Sequence, residues 1–370
     1  MNKEKYEKLI MDNTKYFYFI YGNHGDFPEQ LEDYYFLIKD LLAYSLNKPL
    51  LVSKELVSGH CNFIIECFNP SFVSQIETIK NNSPKTNIIC IATEFLTQDT
   101  FNLFNKENEY SNQTLIFLDS ILHQTGIVKL GKKFFSDTSL KDLYKKYIKN
   151  KIGSSHYANT GYWKERYNNF IKSLPYFDQV WTVSPSQKEG YLRIIESSNL
   201  WTLPIVPYTD LCEEFSSTKN NNFNIDLLFT GTLTPYRIQI LEKLKNKKLN
   251  VVSGFFPSFL KNAYISQSKI CLNLKPNSKW PFTSIMRLHT LLMKGKYVIS
   301  EKYDDEISIQ NKFVNEVTLE NIVSVSLDQI NNPNLVDIGI EMKSKYIEST
   351  KIIREKVKGD FLEFIQSKIT

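Results

Sequence analysis

The stretch IDLLFTGTLTPYR, residues 225–237, decides how the chain reads. An apolar run from Ile225 to Phe229 enters Thr230-Gly231-Thr232, and Arg237 follows where the next helix begins. A short apolar run closed by glycine and followed by a helical pattern is the strand, turn and helix of a parallel sheet. In such a unit Gly231 permits close backbone approach, and the hydroxyls of Thr230 and Thr232 offer hydrogen bonds. The helix start and Arg237 then act together on an anion such as phosphate. The spacing is neither GxGxxG nor GxxxxGK[ST], which argues against an NAD-dependent epimerase or dehydrogenase and against a Walker loop.

The same alternation runs through the rest of the chain. Upstream, strand-like KYFYFIYG (15–22), PLLVS (49–53), NFIIECF (62–68), NIICIAT (87–93), TLIFLDS (114–120) and QVWTVS (179–184) are interleaved with helical EQLEDYYFLIKDLLAYSL (29–46) and SFVSQIETIKN (71–81). Downstream, the helical pattern 237–246 precedes LNVVSG (249–254) and KICLNL (269–274), and a helix from Ser284 to Lys294 leads into KYVISE (296–301). Strands alternating with helices predict an α/β fold of two doubly wound parallel-sheet lobes, with ligands in the cleft at the carboxyl ends of the strands. The expected boundaries are a first lobe over 1–207, a second over 208–337, and a helical tail over 338–370 that folds back on the first lobe. The polar stretch STKNNNFN (217–224) reads as a linker or loop.

With 370 residues, the chain is long enough for two domains. Its 42% hydrophobic and 23% charged residues are those of a globular protein, with no 18-residue apolar run and no leader-like N-terminus, so a cytoplasmic protein is expected. Lysines and arginines exceed acids by a formal +5 and are dispersed, which suits anionic ligands but gives no nucleic-acid footprint. Cys61, Cys67, Cys90, Cys212 and Cys271 form no CxxC pair and read as free thiols. The histidines outside the loop after the first strand, His60, His123, His156 and His289, lack HxH or HxxxH spacing, so no metal site is expected.

A second motif, ICLNLKPNSKWPFTSIMRLHTLLMKGKYVISEK (270–302), ends a strand at Asn273 and then places Lys275, Lys279 and Trp280 in a loop. Thr283 or Ser284 can cap the next helix, Gly295 ends it, and Arg287 adds charge near its start. The order strand, G-x5-R, N-L, then R-L-x-x-L-L-x-x-G-K-Y-V-I-S-E resembles the nucleotide-sugar lobe of GT-B glycosyltransferases, particularly bacterial ones with R-x-F-E-A-L-A-x-G. Arg287, Gly295, Gly231 and Arg237 match that pattern. The resemblance covers most of residues 176–302, with QVWTVSPSQKEGY (179–191) as the last strand of the first lobe and LPIVPY (203–208) as the interdomain segment. It implies two Rossmann-like lobes and a nucleotide-sugar donor held by Thr230, Gly231, Thr232, Arg237, Asn273, Lys275, Ser284, Arg287 and Thr290. No cofactor or tightly held metal is implied, and the acceptor is a bacterial surface glycan or its lipid-linked precursor. The chain departs from the family where it carries an acidic pair for the donor ribose, at Phe282 and Thr290, which leaves UDP, GDP and CMP linkages open.

For the acceptor, His24 and Asp26 in YGNHGDF (21–27) are candidate bases, since a histidine in this loop acts so in several inverting GT-B families and an imidazole suits proton removal near neutrality. Glu94, directly after a buried strand, is a further candidate, and Glu66 has similar placement. The segment LKDLYKKYIKNK (140–151) puts Leu140, Leu143, Tyr144, Tyr147 and Ile148 on one helical face among five lysines, a pattern that fits peripheral contact with a membrane surface. The alternative from another class is a non-catalytic sugar- or nucleotide-binding module derived from a transferase.

Overall fold

A computed structural model describes residues 15–24, 31–66, 68–97, 100–102, 160–208, 223–305 and 307–368. The expected strand at 114–120, the lysine-rich segment 140–151, the linker up to residue 222, Asp26, Cys67 and Cys212 lie outside these residues. The side chain of His24 does too, although its backbone closes the turn Gly22–His24.

The first lobe opens with β1 (Phe17–Ile20) and α1 (Glu32–Leu46), then β2 (Leu50–Ser53), β3 (Cys61–Ile65), α2 (Pro70–Asn82) and β4 (Asn87–Ala92). A small hairpin, β5 (Leu96–Thr97) with β6 (Thr100–Phe101), precedes α3 (Thr160–Ser173), β7 (Gln179–Thr182), a short α4 (Lys188–Tyr191) and β8 (Leu200–Thr202). Six strands form one parallel sheet in the order β2-β1-β3-β4-β7-β8. Successive side chains of a strand point to opposite faces, and the sequence uses both. Phe17, Phe19, Phe63, Ile65, Ile89, Ile91 and Trp181 pack on one face with Leu37, Ile38 and Leu41 of α1. Ile20, Ile64, Ile88, Cys90 and Val180 pack on the other with Phe72 and Ile76 of α2 and Phe170 of α3.

The second lobe repeats the scheme with β9 (Ile225–Thr230), α5 (Pro235–Lys245), β10 (Val251–Gly254), α6 (Ser258–Gln267), β11 (Ser268–Asn273), α7 (Ile285–Met293), β12 (Tyr297–Glu301) and β13 (Asn315–Val317). Its five strands are parallel in the order β10-β9-β11-β12-β13. Leu227, Phe229, Ile270, Leu272 and Ile299 face α5, while Leu228, Cys271 and Val298 face Ile265 of α6 and Leu288 and Leu291 of α7. Three helices close the chain: α8 (Ile322–Gln329), α9 (Leu335–Ser349) and α10 (Lys351–Lys368). The molecule is therefore an α/β structure of two Rossmann-like lobes. In each sheet the strand order reverses once, between β1 and β3 and between β9 and β11. Such switch points open a crevice at the carboxyl ends of the strands.

The segment 203–208 that links the lobes is packed, since Leu203, Ile205, Val206 and Tyr208 are buried in the first-lobe core. The Ile205 carbonyl accepts from Gln310 Nε2 and from the Tyr346 hydroxyl. The last helix returns to the first lobe, where Val357, Phe361, Phe364 and Ile365 join the α1 face. Phe361 is fully buried and meets Trp181 and Trp201 at ring-centroid distances of 5.8 and 6.4 Å. Truncating a buried phenylalanine costs roughly 3–5 kcal/mol. Phe361→Ala is expected to lower the unfolding free energy of the first lobe, extrapolated from denaturant titration, by that amount, while Ile352→Ala, 85% exposed on the same helix, leaves it unchanged; equal behaviour of the two variants would show that the tail does not hold the first lobe.

Candidate functional site

At the second-lobe switch point, β9 ends in Thr230-Gly231 and β11 ends in Asn273-Leu274-Lys275. Thr234 caps α5 by accepting from the Arg237 amide, and its hydroxyl donates to the Pro276 carbonyl. With Pro235 in the first turn and this cap made, the α5 start has few amides left to offer an anion. The Arg237 side chain is 4% exposed and turns back across the switch point. Its Nε donates to the carbonyls of Leu274 and Lys275, Nη2 to Leu274 and Nη1 to Thr232, at 2.8–3.2 Å. The guanidinium thus ties the ends of β9 and β11 together.

Arg287, from the first turn of α7, approaches from the other side. Its Nε donates to the Thr230 carbonyl at 2.8 Å and its Nη1 to Asn273 Oδ1 at 2.9 Å. Both guanidiniums lie 5.0 Å from the centre of the Phe229 ring, within cation–π range. A Cβ on Gly231 would come within 2.6 Å of Arg287 Nη2. The close approach that this glycine permits is therefore that of Arg287. Asn273 is fixed in turn by donating from Nδ2 to the Ser300 hydroxyl at 3.0 Å.

Lys275 completes the cluster, 8% exposed, with Nζ 5.3 Å from the Tyr303 ring centre. Glu301, at the end of β12 and 3% exposed, accepts from the Lys275 amide at 2.9 Å and from the Tyr236 hydroxyl. Burial raises the Glu301 pKa, and Tyr236, Lys275 and Arg237 pull it back. Burial likewise raises that of the Tyr303 phenol, against the two arginines. Three cations against one carboxylate leave this cluster a formal excess of two positive charges.

Ser284 sits at the N-cap position of α7 without a side-chain cap bond, because the backbone there has ψ 71°. Thr283, the other expected cap, spends its hydroxyl on Asn311 and its amide on Asp305. Thr290 is half-buried on α7, and Thr230 and Thr232 are half-buried with carbonyls committed to Arg287 and Arg237. Expected donor-site residues 230, 231, 232, 237, 273, 275 and 287 are thus brought together in one cluster.

The first-lobe switch point carries a second charged group. Glu66 follows β3 and is 1% exposed, with Oε1 accepting from the Thr93 hydroxyl at 2.7 Å and Oε2 from the Thr93 amide at 2.5 Å. Glu94 follows β4 and is paired with Arg166 at 2.7 Å; Asn102 also donates to it. The same guanidinium reaches Glu66 Oε1 at 3.5 Å and the Glu66 carbonyl at 2.9 Å. Burial, then the Glu94 charge, pushes the Glu66 pKa up to about 8 against Arg166 and Thr93. Burial next to Glu66 and Glu94 also raises the Tyr34 phenol. Asn23, 5% exposed, ties the β1 turn to this edge by donating to the Ile65 carbonyl.

Between the lobes, Phe95 stacks on Phe282 at 4.0 Å and 3°, with Trp280 edge-on to Phe95 at 5.7 Å. Ser186 donates to Asp305 Oδ1 at 2.7 Å, and Lys261 pairs with Asp33 at 2.8 Å. His289 is half-buried against the last helices: Nδ1 lies 2.9 Å from the Tyr346 oxygen, and desolvation lowers its pKa to about 4. Among the described residues, Cys61, Cys90 and Cys271 are free and buried, no cluster of histidine, cysteine or acid could hold a metal ion, and no helix is long and apolar enough to cross a membrane. Arg166, Tyr303 and Asp305 carried no signal in the sequence, and Glu301 entered only as the last residue of the KYVISE strand, since each gains its meaning from residues elsewhere in the chain.

No family model and no curated protein matches the chain. Solved structures are similar at low identity. An S. aureus TarM variant in complex with fondaparinux, alpha-GlcNAc-glycerol and UDP is 11% identical over 83% of this chain, with a TM-score of 0.44, and only 55% of the TarM chain is covered, so this chain spans about half its length. An OtsA apo structure is 7% identical over 99% of this chain and 96% of its own, with a TM-score of 0.43. An alpha,alpha-trehalose-phosphate synthase (UDP-forming) from Burkholderia vietnamiensis is 7% identical over 91% of this chain and 76% of its own, with a TM-score of 0.42.

A carboxyl whose folded pKa lies above its unfolded value binds its proton more tightly in the folded state, so it lowers stability as pH rises through the interval between the two. For Glu66 that interval runs from about 4.5 to about 8. Glu66→Gln is expected to remove this dependence, so that its thermal midpoint gains several degrees on the wild type between pH 5.5 and 8. Parallel pH profiles of the two proteins would refute the buried-carboxyl assignment.

Proposed function

We propose that the protein is a glycosyltransferase that moves a sugar from a nucleotide-sugar donor to a hydroxyl of a bacterial surface glycan or its lipid-linked precursor, without a tightly held metal. The observation that carries this reading is the convergence of Arg237, Arg287 and Lys275 at the second-lobe switch point, with Glu301 as the one carboxylate of the cluster among the described residues. Two excess positive charges complement the two negative charges of a nucleoside-diphosphate sugar. In the reaction the acceptor oxygen attacks the anomeric carbon, the bond from that carbon to the phosphate oxygen breaks, and the nucleotide leaves with the bonding electrons. Charge developing on the leaving phosphate is met by Lys275 and by the field of the two arginines, preorganised in a site with little water. Arg237 contributes mainly by fixing the two strand ends, since its nitrogens already serve carbonyls.

The acceptor proton passes to a first-lobe carboxylate or imidazole. Glu94 is held for this role by Arg166 and Asn102 at the carboxyl end of β4, and His24 and Asp26 belong to the loop after β1. A non-catalytic nucleotide- or sugar-binding module is the second reading. One observation favours it: Phe282 and Thr290 stand where the resembled family carries its ribose-holding acids.

Nucleotide binding and turnover separate the two. UDP, GDP, CMP or CDP is expected to raise the thermal midpoint selectively, because a ligand bound only by the folded state stabilises it. Lys275→Ala removes one charge-assisted contact, about 1.5–3 kcal/mol, and so weakens that nucleotide roughly 10- to 100-fold. Release of free nucleotide from the matching nucleotide sugar favours the transferase; binding without turnover on any acceptor favours the module. No shift with any nucleotide, or an undiminished one in Lys275→Ala, would contradict the site.

A further inference from the structure

The two lobes meet through an aromatic pair that neither charged cluster uses. Phe95 follows Glu94 at the carboxyl end of β4, and Phe282 lies in the loop between β11 and α7, so each ring stands on the cleft edge of its own sheet. Their centroids are 4.0 Å apart and their planes only 3° from parallel, with both residues half-buried. Trp280, 8% exposed, closes one side of Phe95 edge-on at 88°. A parallel pair at this spacing is a stacked contact, an arrangement that aromatic rings favour when they are offset. The polar links that cross between the lobes here, Ser186 to Asp305 and Lys261 to Asp33, are narrow ones. Beneath them, the Gln310 and Tyr346 bonds to Ile205 hold the interlobe segment.

We propose that Phe95 and Phe282 are the two walls of an acceptor slot, which parts to take the pyranose ring of a neutral sugar between the phenyl faces. This inference rests on the transferase reading. The chemistry of the slot follows from its walls: two flat apolar faces fit the C–H face of a pyranose and offer nothing to a phosphate. Contact on both faces needs two van der Waals gaps of about 3.5–4.0 Å each, so the rings separate from their present spacing by about 3–4 Å. Closure of that size is ordinary for lobes joined by a cleft. Phe95 directly follows Glu94, so the slot lies at the same strand end as that carboxylate.

Saturation-transfer NMR on the full chain, with p-nitrophenyl glycosides of glucose, galactose, mannose and N-acetylglucosamine as probes, tests this directly. At least one glycoside is expected to show transfer to its pyranose protons at millimolar concentration. Phe95→Leu and Phe282→Leu, which keep apolar volume, are expected to weaken it at least tenfold while the nucleotide-induced thermal shift stays unchanged. Should one variant fail to fold, the other makes the same comparison from the opposite lobe. Transfer that survives in the leucine variants, or that is absent with every glycoside in the wild type, overturns the slot. So does a nucleotide shift lost together with the sugar signal, because the pair then belongs to the donor. A sugar signal sensitive to both phenylalanines without any nucleotide shift keeps the slot and fails the transferase reading.

Discussion

Everything at the second-lobe edge depends on one buried guanidinium. A charged side chain taken out of water is costly unless its donors are met, and Arg237 meets them with the carbonyls of Thr232, Leu274 and Lys275. Those carbonyls belong to the two loops that leave adjacent strands in opposite directions, so the arginine sets the width of the crevice at the switch point. Its stem and charge rest on Phe229, whose ring also carries Arg287. Removing the cation would leave buried acceptors unpaired on both loops, and the site would lose its shape before it lost a ligand contact.

The charge of each lobe then follows from what is buried beside it. In the second lobe three cations surround one carboxylate, and Glu301 compensates part of their charge while anchoring the Lys275 backbone. In the first lobe Glu66 and Glu94 share Arg166, and with the Glu66 pKa pushed up to about 8 that group carries no such positive excess. Phe95, Phe282 and Trp280 put apolar surface at the boundary between the lobes.

Much of this architecture was legible in the sequence because its signals are local. Runs such as 87–93 and 225–231 are apolar on both faces, as central parallel strands must be; the helices expected from 71 and 237 begin at Pro70 and Pro235, behind caps at Asn69 and Thr234. Helices α3 and α6 and the edge strands β8 and β13 were missed, their patterns being short or mixed. At the site, the local motif named Gly231, Arg237, Asn273, Lys275 and Arg287 correctly as neighbours. It misjudged what the glycine serves, since a sequence cannot show that a side chain 56 residues on fills the space left by the missing Cβ. Glu66 and Arg166 lie 100 residues apart and Ser186 and Asp305 lie 119 apart, distances at which no periodicity carries information.

The most direct measurement is the structure of the protein crystallised with UDP or GDP. The account predicts phosphate oxygens within hydrogen-bond reach of Lys275 Nζ at the β9–β11 switch point, with Arg237 still on its three carbonyls. A diphosphate seated elsewhere, or an Arg237 released from those carbonyls to reach it, would contradict the account.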